Sequence, residues 1–92
     1  MTDSADSIEQ FLDIREDVCP ITFVKTRLLI EAMSSGDKAE ILLRGSEPIE
    51  NVPSSVRELG HTILECGRIA DLPDPDSRPH RPGDVRLVIR KE

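Results

Sequence analysis

Two stretches with helical spacing of apolar residues each lie between stretches of strand character, and this order constrains the fold more than any other feature of the chain. Residues 11–15 (FLDIR), Phe11 aside, alternate apolar and charged side chains, which is the period of a half-buried strand. From Pro20 the apolar residues fall at Ile21, Val24, Leu28 and Ala32, with Leu29 and Met33 on the adjoining flank. This spacing predicts a helix whose solvent side carries Lys25, Thr26, Arg27 and Glu31. Pro20 suits the first helical position, where its missing N–H is not needed, and Gly36 is the expected left-handed stop. Residues 39–44 (AEILLR) form an apolar run and a second strand. Val52, Val56 and Leu59 share a helical face, which predicts a turn and then a short second helix from Pro53 to Gly60. Residues 61–69 (HTILECGRI) read as a third strand with Gly67 as a possible bulge, and residues 85–91 (VRLVIRK) as a fourth.

A strand–helix–strand unit closes right-handed and parallel in nearly all folds. The last two strands have no helix between them and are most simply antiparallel. The expected architecture is therefore α+β: a βαβαββ two-layer sandwich with a mixed four-stranded sheet and both helices on one face. Residues 71–84 (DLPDPDSRPHRPGD) hold four prolines and almost no apolar side chain. They can neither pair as a strand nor fill a core, and are expected to form a mobile surface linker. Residues 1–8 are polar and acidic and are expected to be a disordered tail, which leaves 9–92 as one domain.

Composition narrows the function. The chain has 92 residues, 37% hydrophobic and 33% charged, enough for one small core. No run approaches the ~18 apolar residues of a membrane span. The opening MTDSADSIEQ contains acids and no bases, unlike a secretory signal. A net charge of −6 and two aromatic residues, Phe11 and Phe23, argue against a nucleic-acid surface. The two cysteines, Cys19 and Cys66, form no CxxC pair, so free thiols in a reducing cytoplasm are expected. The two histidines, His61 and His80, stand near no cysteine pair with zinc spacing, and no metal site is expected.

The chemically informative stretch is residues 12–22, LDIREDVCPIT. A residue before proline is driven into extended geometry, which makes Cys19 a natural helix N-cap. Its sulfur then lies near the N–H groups of Ile21 and Thr22 and the positive end of the helix dipole. Such positions stabilise a thiolate. Arg15 adds positive charge nearby, while Asp13, Glu16 and Asp17 oppose it. No histidine is close in sequence, so a Cys–His hydrolase is not indicated. Cys66, in an apolar strand, is expected in the core. Lys25, Arg27, Arg86, Arg90 and Lys91 are expected to solvate open faces.

Leu12, Asp13, Arg15, Cys19 and Pro20, followed by a helix ending in SGD, a strand, a proline-led second helix and a terminal VRLVIRK, resemble the TusA/SirA/YedF family of small sulfur carriers. That family's signature runs Leu-Asp-x-Arg-Gly-x-x-Cys-Pro-x-Pro. Here Glu16 stands for its glycine and Thr22 for its second proline, so Thr22 keeps a backbone N–H able to serve a thiolate. The resemblance covers residues 12–91. It implies a sulfurtransferase-type carrier that needs no cofactor and relays sulfane sulfur as a persulfide on Cys19, with Pro20, Thr22, Arg15 and Asp13 in support. The implied partners are a sulfur donor, a cysteine desulfurase or a rhodanese, and an acceptor protein. The carrier is expected to be a cytoplasmic monomer that binds neither nucleic acid nor membrane directly. The other reading is a non-catalytic interaction module of the same fold in which Cys19 only caps the helix.

Overall fold

The computed structural model describes residues 8, 10–17, 21–71 and 79–92. Residues 1–7 of the tail expected over 1–8, the pair Cys19 and Pro20, and the middle of the expected linker, 72–78, lie outside the described residues. The chain forms β1 (Gln10–Asp13), α1 (Ile21–Ala32), β2 (Lys38–Leu43), α2 (Ser46–Glu58), β3 (Thr62–Arg68), a 3-10 turn (Ile69–Asp71) and β4 (Val85–Arg90). This is the predicted βαβαββ order.

The sheet order is β1-β2-β4-β3. β1 runs parallel to β2, and β4 is antiparallel to both β2 and β3. β4 therefore slots between β2 and β3, which are parallel to each other through it. The two helices pack against each other and over the sheet. Cα extents of 34 × 30 × 16 Å fit one sheet layer under one helix layer.

Strand alternation sorts the side chains. Ala39, Ile41 and Leu43 of β2 and Val85, Leu87 and Ile89 of β4 face the helices and are buried. They meet Ile30 of α1, Met33 just beyond its end, and Val52 and Val56 of α2, with Ile14 closing the cluster at the end of β1. The other face holds a charged row: Arg86 of β4 donates from Nε to Glu40 of β2 (2.6 Å) and from Nη1 to Glu65 of β3 (2.7 Å). Arg86 thus lies on the helix-free side, as expected, but paired across three strands.

Several expectations are corrected. Helix α1 buries the opposite side from the one its apolar spacing suggests. Ile21, Val24 and Leu28 are 46%, 49% and 59% exposed, while Thr22, Thr26, Ile30 and Met33 are buried. Thr26 can be buried because its hydroxyl donates to the Thr22 carbonyl one turn back (2.8 Å), so no polar atom is stranded. The second helix starts at Ser46, not Pro53. Pro48 lies in its first turn, where no N–H is required, and Pro53 is accommodated inside the helix on its buried side. Gly45 precedes the helix at φ 100°, ψ 146°, a conformation open to glycine and almost no other residue.

The bulge of β3 falls between Ile63 and Glu65, not at Gly67. Cys66 is exposed on this edge strand, not in the core. It pairs opposite Leu87, but β3 is an edge and leaves it uncovered. Of the stretch expected to be a mobile linker, only the two ends are among the described residues. Asp71 closes the 3-10 turn, where the Ile69 N–H donates to the Asp84 carbonyl (2.9 Å). Residues 79–84 are hydrogen-bonded to the body, as described below. No described helix is long and apolar enough to cross a membrane.

Candidate functional site

β1 and β2 are parallel, so their C-terminal ends meet at one edge of the sheet, and β4 begins at the same edge because it runs the other way. The chain leaves β1 there and turns toward α1. Pairing with β2 continues one step past the strand, through Ile14 N–H to the Leu42 carbonyl (3.2 Å). The Asp17 N–H then donates back to the Ile14 carbonyl (3.2 Å), closing the turn 14–17. No non-glycine residue has positive φ among the described residues. Glu16 therefore occupies the turn without backbone strain, and glycine is not required there.

Arg15 locks this turn. Its Nε and Nη2 donate to the two carboxylate oxygens of Asp13 (both 2.9 Å), and its own N–H reaches Asp13 Oδ1 (3.1 Å). Its Nη1 donates to the Pro79 carbonyl (2.7 Å) and to Asp84 Oδ2 (3.2 Å). Asp13 and Arg15 thus form a bidentate pair across one intervening residue. The Arg15 hydrogen bonds hold the Asp13 carboxyl below the usual carboxylate range despite partial burial. The charge of Arg15 is in turn compensated, chiefly by Asp13. Its role seen here is to fix the turn, and Asp13 acts with it.

Asp84 and Arg44 complete the cluster, and sequence reasoning singled out neither. The Asp84 side chain is 0% exposed. It accepts from Arg44 Nε (2.8 Å) and Nη2 (3.0 Å), from Arg15 Nη1 (3.2 Å) and from the Arg81 N–H (2.9 Å). The Arg44 hydrogen bonds, with help from Arg81 and Arg15, pull its pKa down to about 2 against the opposing effect of burial. Arg44 also donates from Nη1 to Glu16 Oε2 (2.8 Å). The one sequence signal was indirect: Arg44 and Asp84 abut the apolar strands β2 and β4, and a charge at such a boundary needs a partner.

The turn is bound to the helix as well. Lys25 Nζ, in the second turn of α1, donates to Asp17 Oδ2 (2.8 Å). Residues 18–20 are thus bracketed by two anchored points, Asp17 at the end of the turn and Ile21 at the start of α1. Of the predicted site residues, the structure brings Asp13 and Arg15 together in direct contact, and Thr22 sits fully buried in the first turn of α1. Cys19 and Pro20 lie outside the described residues. Lys25 and Arg27 are exposed, as expected, and paired with Asp17 and Glu31. His61 accepts the Glu92 N–H at Nδ1 (3.1 Å), and no cluster able to hold a metal is found among the described residues.

Comparison with known proteins agrees with the motif. Residues 10–72, from β1 to just past the 3-10 turn, match the family described as Sulfurtransferase TusA. A candidate sulfur carrier protein of Archaeoglobus fulgidus is 36% identical over 62 residues, covering 67% of this chain and 70% of the relative. One from Thermotoga maritima is 33% identical over 62 residues, covering 67% of this chain and 78% of the relative. A third, from Methanocaldococcus jannaschii, is 26% identical over 53 residues, covering 58% of this chain and 71% of the relative. With the element order, the Leu12-Asp13-x-Arg15 turn and the Cys19-Pro20 pair all in place, the chain belongs to the TusA sulfurtransferase family.

Proposed function

We propose that this protein carries sulfane sulfur as a persulfide on Cys19, taking it from a donor protein and passing it to an acceptor. The observation that carries the reading is the anchored approach to α1. Asp13, Arg15 and Asp17 fix the chain up to two residues before Cys19, and α1 begins two residues after it. A cysteine delivered to the start of a twelve-residue helix meets N–H groups with no partner within the helix and the positive end of the dipole. Both favour the thiolate, the reactive form. Thr22 supplies an N–H where the family's second proline would not.

The transfer balances without an external oxidant. The Cys19 thiolate attacks the terminal sulfur of a donor persulfide. A new S–S bond forms on Cys19, the donor's S–S bond breaks, and the donor leaves as its thiolate. In the second half, an acceptor thiolate attacks the terminal sulfur on Cys19 and frees Cys19 as a thiolate. The sulfur atom moves at constant oxidation level. A cysteine desulfurase or a rhodanese fits the donor role, since each presents sulfur as a cysteine persulfide. The carrier needs access to two partners in turn and no enclosed pocket, which suits a monomer acting in the cytoplasm.

The test uses Cys19→Ser. Serine is itself a good N-cap, so the fold should persist. Incubation with a cysteine desulfurase and cysteine should add sulfur to the wild-type protein and to Cys66→Ser, but not to Cys19→Ser. A wild-type protein left unmodified by desulfurases and rhodaneses alike, with Cys19 also inert to alkylation at neutral pH, would leave the interaction-module reading.

A further inference from the structure

The carboxylate of Asp84 is fully buried, yet it belongs to none of the motif residues. It lies on the far side of the sequence from the thiol, at the entrance to β4. Two arginines reach it from different segments: Arg44 from the end of β2 with two bonds, and Arg15 from the turn after β1 with one. Each arginine spends its remaining donors on the turn or its neighbours. Arg15 grips Asp13, and Arg44 reaches out to Glu16 in the turn itself. Asp84 also draws in the chain on its own side, through the Arg81 N–H, while Arg15 holds the Pro79 carbonyl. One buried carboxylate thus connects three chain segments at the edge of the sheet where the polypeptide turns toward α1.

From this arrangement we propose that Asp84 is a positioning residue for the sulfur-transfer thiol, acting through Arg15 and Arg44 on the turn 14–17. The inference rests on the persulfide reading above and names a residue outside the family signature. A pair of guanidiniums without Asp84 would repel each other and lose a bidentate partner, and the grip on Asp13 and Glu16 would loosen with them. The turn that leads the chain to Cys19 would then be held less well. Small misplacements of a reacting group cost large factors in rate.

A pH profile separates positioning from simple charge. The described titratable groups around the turn are Asp13, Arg15, Glu16, Asp17, Lys25, Arg44 and Asp84. Removing a negative charge from this set lowers a nearby thiol pKa through relief of Coulomb repulsion alone. Loss of alignment with the helix start raises it. Positioning therefore predicts a shift of the opposite sign to electrostatics.

The experiment follows Cys19 alkylation by iodoacetamide against pH, resolved by peptide, in wild type and Asp84→Asn. The exposed Cys66 in the same molecule serves as an internal control. The expected result is a Cys19 profile displaced to higher pH, an unchanged Cys66 profile, and sulfur loading slowed about tenfold. Should Asp84→Asn fail to fold by circular dichroism, Arg44→Lys takes its place, since it keeps the charge but cannot hold Asp84 with two nitrogens and Glu16 with a third as Arg44 does. It should shift the Cys19 profile the same way by less. A Cys19 profile that superimposes on wild type, or moves to lower pH with loading intact, overturns the proposal. Failure of the wild type to load sulfur strikes the carrier reading alone, because the alkylation profile still reports on Asp84.

Discussion

Replacing Ile30 with alanine and, separately, Leu28 with alanine tests which side of α1 rests on the sheet. The two side chains have the same composition and lie two residues apart on one helix. Ile30 is 3% exposed inside the main cluster; Leu28 is 59% exposed. Truncating Ile30 removes three buried carbons, worth roughly 2.4 kcal/mol at about 0.8 kcal/mol each. The cavity left inside the main cluster adds to this, which places the total at about 3 kcal/mol within the usual range of ~2–5. Truncating Leu28 removes carbons that are less than half buried, about 1 kcal/mol on the same scale, with no closed cavity. The higher helix propensity of alanine offsets a few tenths of that. The assay is urea unfolding followed by circular dichroism. With a slope of about 1 kcal/mol/M for a domain of this size, Ile30→Ala should lower the midpoint by ~2 M or more and Leu28→Ala by under ~1 M. A larger loss for Leu28→Ala would mean that the Ile21–Val24–Leu28 stripe is the buried face and that this orientation of α1 is wrong.

Further outcomes follow from single features. Cys66→Ala should change stability by under ~0.5 kcal/mol in the same assay, because the side chain is exposed on an edge strand, and sulfur loading should persist; loss of loading in the folded variant would mean a two-thiol relay. Gly45→Ala should cost about 1–3 kcal/mol, since alanine is strained at φ 100°, ψ 146° even though its Cβ would meet Pro48 only at ordinary contact distance; an unchanged melting temperature would show the turn can readjust. Asp84, with a folded pKa of about 2 against an ordinary 3.8, contributes stability fully present above the ordinary value and lost as pH falls through about 2. Acid unfolding should therefore lose a component between about pH 4 and 2 in Asp84→Asn, and an acid limb identical to wild type would contradict the buried pairing. Amide exchange should show protection at Asp84, whose N–H donates to the Arg81 carbonyl; full exchange there at the rate of an open chain would mean that residues 79–84 do not stay docked.

The element order was legible because each strand carries its own short apolar pattern and each helix a longer one. Gly36 and Gly60 both lie at positive φ where the sequence marks helix stops, the left-handed geometry being read beforehand only at Gly36. The face of α1 was not legible, for a physical reason. This helix is apolar on more than one side, so spacing alone offers two candidate stripes. Counting threonine as polar selected the wrong one, whereas Thr22 and Thr26 are buried and Thr26 satisfies its hydroxyl within the helix. The start of α2 was missed because proline was read as a boundary, and Pro48 sits where a first turn tolerates it. Cys66 was placed in the core from residue type, but the order β1-β2-β4-β3 makes β3 an edge, and sequence does not give strand order. At the site, Asp13 and Arg15 were visible as a motif. Arg44 and Asp84 were not, since their meeting joins residues 40 apart and depends on β4 inserting beside β2.

The central claim is that sulfur resides on Cys19 between donor and acceptor. The most direct measurement locates the atom. Wild-type protein is incubated with a catalytic amount of cysteine desulfurase and excess cysteine, trapped with iodoacetamide, digested and sequenced by tandem mass spectrometry. The account predicts one added sulfur atom on the peptide containing Cys19, removable by a thiol reductant, with Cys66 alkylated as a plain thiol. Sulfur found on Cys66, or on neither cysteine while the desulfurase is demonstrably turning over, would contradict it.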